Sequence, residues 1–191
     1  MDLHTILIIA HVIGVSLGVG GALMSDIVFL RAIKKQVFSR DTFEILDALS
    51  HAIWGGFWLL IASGFWMFWL IYSENNSIPM LASSRWQVKL ALVGVVFING
   101  VIFRKKVFPL LKTLVGQPLT MDLFKSKIWL PAISGAISFV SWVAIVILSL
   151  LLRTFRPHYL ILLGAWAGVV IVGSLVAKAI FTRYLGHSEK P

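Results

Sequence analysis

The chain has 191 residues, 59% of them hydrophobic and 13% charged, with a formal net charge of +9 and a mean hydropathy of +0.91. That is more apolar surface than a soluble domain of this size can bury, so the composition points to an integral membrane protein. With no cysteine in the chain, disulfides, cysteine-ligated zinc and cysteine-held clusters are excluded.

Five stretches, about 5–30, 45–72, 86–103, 128–152 and 159–181, are long enough to cross a hydrocarbon core of ~30 Å as helices. None alternates strictly as a barrel strand would, so the expected fold is an all-α bundle of five transmembrane helices in a single domain, residues 1–191. The residues before the first span, MDLH, carry an aspartate and no Lys or Arg, which argues against a cleaved signal peptide. Within this span His11, Gly14, Gly18, Ala22 and Ser25 share one helical stripe, and Asp26 follows near its far end. A stripe of small residues lets a neighbouring helix approach closely, or it leaves space for a flat ligand such as a porphyrin held by the imidazole. The following segment, RAIKKQVFSRDTFEILD, mixes basic and apolar residues and is expected to form a short interfacial helix.

The second span repeats the pattern of a histidine above small and aromatic residues, with His51, Gly55, Trp58, Ala62, Phe65 and Trp69 on one face. Its tryptophans suit bundle core and interfacial belt. SENNSIPMLASSR reads as a plain outer loop. The third span opens RWQVKLALV, with Arg85 at the edge, Lys89 just inside and Asn99 deeper. RKKVFPLLKTLVGQPLTMDLFKSK is a second candidate interfacial segment. Arg153 and Arg156 follow the fourth span, and Lys178 lies within the fifth.

Basic residues sort the loops. Arg31, Lys34, Lys35 and Arg40 follow the first span, and Arg104, Lys105, Lys106, Lys112, Lys125 and Lys127 follow the third, whereas the other two connections are poor in Lys and Arg. The positive-inside rule then puts the N-terminus outside and the C-terminus in the cytoplasm, as in a multi-pass protein of the bacterial inner membrane. The positive charge is thereby a matter of topology, and no soluble basic domain offers itself to nucleic acid.

Ionisable groups inside spans are costly and are functional candidates by default. At 1.5 Å per residue His11 lies roughly 9 Å inside the outer edge, and Lys89 enters from the same side to a similar level. Arg85, Arg153 and Arg156 rim that layer and could pair with carboxylates. Asp26, His51 and Lys178 fall within about two turns of the inner edge, where Asp26 and Lys178 are expected to pair. His11 and His51 are the metal-ligand candidates, in opposite halves and too far apart for one iron, so a bis-histidine di-haem cytochrome is not supported.

The early histidine His11, the Gly20-Gly21 pair, Arg31 after the span, and RWQVKLALV with Lys89 resemble the HemJ, CopD and DUF2269 group of small membrane proteins. The resemblance covers about residues 5–105. It implies haem b as cofactor, with a role for His11 and Lys89 in a protoporphyrinogen-oxidase-like reaction, or copper handling of the CopD type. Where HemJ-type proteins carry a histidine about a dozen residues after the lysine, this chain has Asn99 and Gly100. The expected function is therefore a haem-b-binding membrane oxidoreductase or electron-transfer protein. Lys89 would be its catalytic residue, and His11, Gly14, Gly18, Arg85, Arg153 and Arg156 would contact the cofactor. Its partners would be the lipid bilayer, a porphyrin or quinone-like substrate and other copies of the chain in a homo-oligomer, with no nucleic acid. Copper or proton-coupled transport, and a non-catalytic membrane subunit, are the alternatives.

Overall fold

A computed structural model describes residues 2–75, 83–117, 119, 129–150 and 158–186. Among these residues there is no strand. The order is α1 (Leu3–Lys35), α2 (Arg40–Asn75), α3 (Ser84–Ile102), a π-helical turn (Phe103–Val107), α4 (Phe108–Thr113), α5 (Trp129–Leu150) and α6 (Tyr159–Gly186). Among the described residues five helical runs are long and apolar enough to cross a membrane: α1, α2, α3 with its continuation to Thr113, α5 and α6. Their outer faces carry large apolar side chains in the open, such as Phe65 (62% exposed) and Ile161 (65%), as lipid contact requires.

α1 begins with Asp2 as N-cap, its Oδ1 accepting from the Thr5 N–H at 3.1 Å. Hydrogen bonding to Thr5 holds the Asp2 carboxyl below its usual range. α1 and α2 are joined by a tight turn in which Gln36 takes the left-handed conformation (φ 54°) and donates from Nε2 to the Tyr184 carbonyl at 2.6 Å. The expected interfacial helix over RAIKKQVFSRDTFEILD is therefore absent, and its residues are divided between the ends of two long helices. The second such segment is described only over 104–117 and at 119, its remainder lying outside the described residues, and its described part continues α3. α3 runs on through the π turn into α4, and the following turn is tied down by Gly116 N–H to the Phe38 carbonyl and Leu119 N–H to the Gln36 carbonyl, both 3.0 Å. Pro109 explains the π turn, because its ring crowds the carbonyl four residues back and removes one donor, which loosens the ladder there.

Burial packs the described parts of both segments against the helix ends. Ile33, Phe38, Leu111, Leu114, Leu119 and Leu185 are at most 1% exposed and form one apolar cluster at the basic end of the bundle. A second cluster around Phe57, Val88, Leu92, Trp142 and Ile145 fills the middle.

The α1–α2 contact is the closest in the bundle, and the stripe recognised in the sequence forms it. Across the antiparallel seam His11 meets Ser63, Gly14 meets Leu60, Gly18 meets Gly56 and Gly21 meets Ile53. A methyl group on Gly56 would lie 2.8 Å from the Gly14 carbonyl oxygen and 2.9 Å from the Gly18 nitrogen. Both are backbone atoms that cannot swing aside. Gly55, one residue earlier, would meet nothing within 4 Å. Gly56→Ala should therefore destabilise the bundle by about 1–3 kcal/mol, while Gly55→Ala should be neutral or slightly stabilising because alanine is the better helix former. Thermal melts of the two variants in detergent check the contrast, and equal effects would contradict the seam.

Candidate functional site

His11 and Ser63 define the polar part of the seam at the end remote from the basic loops. Ser63 Oγ donates to the Leu59 carbonyl at 2.6 Å, as membrane serines commonly do, and also lies 3.3 Å from the Leu60 carbonyl. Its single hydrogen is thereby committed to its own helix. At 3.0 Å from His11 Nδ1, the serine oxygen can only accept. In the neutral ring the proton then sits on Nδ1 and the lone pair on Nε2, free of any protein partner among the described residues. The ring packs over Gly64, where an added methyl would lie in ordinary contact with it, 3.5 Å from Cε1.

Lys89, on the first turns of α3, lies near enough for its charge to act on the His11 ring. Its Nζ sits 5.2 Å from the centre of the Trp86 ring, on the same helix. A cation–π contact of this kind offsets part of the cost of holding an ammonium inside a span. The lysine that depth alone had matched to the histidine therefore lies within electrostatic range of it, while its ammonium is held by Trp86. The side chain of Arg85 and the whole of Arg153 and Arg156 lie outside the described residues.

Gly14 and Gly18 have another role than the one expected of a cofactor slot. A methyl on Gly14 would meet Leu60 Cγ at 2.8 Å and the Gly56 carbonyl at 2.9 Å, and one on Gly18 would run into the Trp142 indole. The space beside them is filled by helix α2 and by a ring from α5. Of the two readings of the stripe, close helix approach is the one realised.

The other candidate ligand, His51, is held elsewhere. Its Nδ1 lies 2.8 Å from the Asp47 carbonyl and its Nε2 lies 3.4 Å from Arg104 Nη2. Arg104 also donates from Nη1 to Asp47 Oδ1 at 2.7 Å. With the guanidinium donating to Nε2, the imidazole donates from Nδ1, and both ring nitrogens are engaged. Counted along α2, His51 and the His11 partner Ser63 are roughly 18 Å apart at 1.5 Å per residue, so the two imidazoles do not share a metal. No group of three or more metal-ligating side chains occurs among the described residues.

The expected Asp26–Lys178 pair is not formed. Lys178 Nζ sits 4.0 Å from the centre of the Trp129 ring, and the Asp26 carboxyl faces α5, where Oδ1 would lie 3.3 Å from a methyl on Gly135. Ion pairs among the described residues include Arg40–Glu44 and Arg104–Asp47, and the His51 ring lies 3.7 Å from the same Asp47 carboxylate. Asp26, His51 and Lys178 each turn to a different neighbour, so the inner layer is not one network.

Sequence reasoning missed Ser63, Asp47, Arg104 and Ser134. Asp47 was visible, four residues before His51 and hence on the same face. Asn99 Nδ2 donates to the Ser134 carbonyl at 3.0 Å, and the Ser134 hydroxyl donates back to Asn99 Oδ1 at 3.1 Å, a buried link between α3 and α5. No family model, curated protein or solved structure matches this chain.

Because Asp26 and Lys178 do not touch, Asp26→Asn and Lys178→Met should act independently. In detergent melts the double variant should lose the sum of the two single losses within about 0.5 kcal/mol. Recovery of stability in the double variant would show that the two side chains meet.

Proposed function

We propose that the protein binds haem b through His11 and acts as a membrane oxidoreductase or electron-transfer protein, in the manner implied by its resemblance to HemJ-type proteins. One observation carries this reading: the Ser63 hydroxyl holds the His11 ring so that Nε2 presents its lone pair. A ligating imidazole whose other nitrogen is hydrogen-bonded, with fixed tautomer and orientation, is the usual arrangement at metal centres. The filled seam does not fit the macrocycle, so Gly14 and Gly18 leave the proposed contact set, and the porphyrin would approach Nε2 from outside the seam. A bound haem would supply one-electron chemistry, with His11 as a residue that would hold it. Lys89 would carry a proton or contact a propionate beside it. Propionate pairing by Arg85, Arg153 and Arg156 rests on the sequence alone. In the membrane the His11 layer would face outward, with the basic end and the C-terminus in the cytoplasm of a bacterial cell.

A second reading, proton-coupled transport of the CopD-like kind, is favoured by Asp26, a carboxyl inside the bundle with no ion-pair partner among the described residues.

Purified protein expressed with ample haem should show a Soret band, with α and β bands that sharpen on reduction. His11→Ala should abolish it and His51→Ala should not. Ser63→Ala, which frees the ring, should weaken haem retention by about 10–100-fold. Colourless wild-type protein, or loss of colour in His51→Ala alone, would overturn the proposal.

Lys89 separates proton transfer from charge pairing. Lys89→Met should lower turnover or shift the haem midpoint potential while leaving the melt unchanged, because methionine keeps the apolar stem and removes the charge. Lys89→Arg should retain function if the group pairs with a propionate and lose it if the group releases a proton, since a guanidinium stays protonated near neutral pH. Wild-type behaviour in both variants would remove Lys89 from the site.

A further inference from the structure

A groove of about 410 Å³ opens between the last turns of α1 and the first turns of α2. Arg31 and Lys35, one helical turn apart on α1, line one wall, with Val28 beneath them; Ser39, Thr42 and Ile45 come from the α2 side. Neither Arg31 nor Lys35 has an ion-pair partner among the described residues, whereas Arg40 nearby is paired with Glu44 at 2.8 Å and Lys34 stacks over Tyr184 at 5.4 Å. The positive-inside tendency accounts for cations at this end of the bundle. It does not account for two unpaired cations over a cleft with an apolar floor.

The hydroxyls add a donor. Ser39 Oγ accepts from the Thr42 N–H at 3.1 Å and lies 2.9 Å from Thr42 Oγ1. That contact uses one of the two hydroxyl hydrogens, and the other is left to donate into the groove. Position supplies the remaining constraint. α1 is 33 residues long, roughly 50 Å at 1.5 Å per residue, against a hydrocarbon core of ~30 Å. The first apolar run ends at Leu30, so Arg31 and Lys35 fall just past the span, at the level of lipid headgroups, and Val28 lies in its last turn.

We infer that this groove is a binding site for an anionic glycerophospholipid of the leaflet at the basic end, its phosphate held by Arg31, Lys35 and the Ser39–Thr42 hydroxyls and its upper chain lying on Val28 and Ile45. A basic pocket between membrane helices is the expected receptor for such a headgroup, with each cation near an anionic lipid surface worth about fivefold in affinity. The assignment is independent of haem binding.

The test is native mass spectrometry of the full chain in detergent, titrated with phosphatidylglycerol or phosphatidylcholine, alongside thermal melts without lipid. Phosphatidylglycerol should bind saturably and at least about tenfold more tightly than phosphatidylcholine. Arg31→Gln with Lys35→Gln should abolish that preference and leave the lipid-free melt unchanged, while Lys105→Gln with Lys106→Gln, which removes the same charge elsewhere at this end, should preserve it. Equal losses in the two double variants would show diffuse attraction rather than a site, and equal affinity for the two lipids would overturn the assignment. Millimolar inorganic phosphate should fail to displace the lipid. Full displacement would make the groove a site for a soluble phosphate and overturn the lipid assignment as well.

Discussion

The close approach of α1 and α2 governs most of what the rest of the molecule can do. Between these helices the Gly56 and Gly14 backbones stand nearly in contact, with no side chain interposed. In a bilayer the lipid tails are as apolar as leucine, so helix association depends on such packing and on polar links rather than on the hydrophobic effect. Glycine supplies the packing by removing every atom beyond Cα at the seam. The register this imposes then decides which residues face each other above and below it, and it carries His11 onto Ser63 and Gly64.

The remaining helices are held by other means. α3 meets α2 through rings rather than backbone, with Phe97 5.8 Å from Trp54 and 5.9 Å from Phe57, and Trp54 seated against Gly100. It meets α5 through the reciprocal Asn99–Ser134 hydrogen bonds, and α5 meets α6 through the Trp166 Nε1 donor to Ser141 at 3.1 Å. These are directional contacts in a medium without competing water, so each can specify one helix pairing at modest energetic gain. Trp142 is the cost of the arrangement: its ring fills the space beside Gly18, and its Nε1 is left without an acceptor among the described residues.

Polar chemistry is segregated along the bundle as a result. At one end stand His11, whose imidazole is oriented by an uncharged partner, and Lys89, whose ammonium lies over an aromatic ring. At the other end Asp47, His51 and Arg104 make a charge-linked group whose arginine is delivered by the π turn before Pro109. An imidazole with one free nitrogen and one with both engaged differ in what they can bind, although the sequence motif around each is similar.

Length, hydropathy and period were enough to read the membrane class, the five spans and the α1 stripe, because each is a property of consecutive residues. The shared level of His11 and Lys89 was an expectation from rise per residue alone, and the structure adds that the lysine's charge reaches the ring. The partners were not legible. Whether the space beside Gly14 and Gly18 stays open depends on what another helix brings to it, and here Leu60 and Trp142 fill it. Lys178 could have met an aspartate or an aromatic ring at the same depth, and only the rotation of α6 against α5 gives it Trp129. The basic connections looked like interfacial helices because they alternate charge and apolarity, yet in their described parts Phe38, Leu114 and Leu119 are buried in one shared cluster as packed turns between helix ends. A sequence sets the face that each helix offers. Which neighbour accepts that face is decided by packing among all five at once, and the site's hydrogen bonds are settled there.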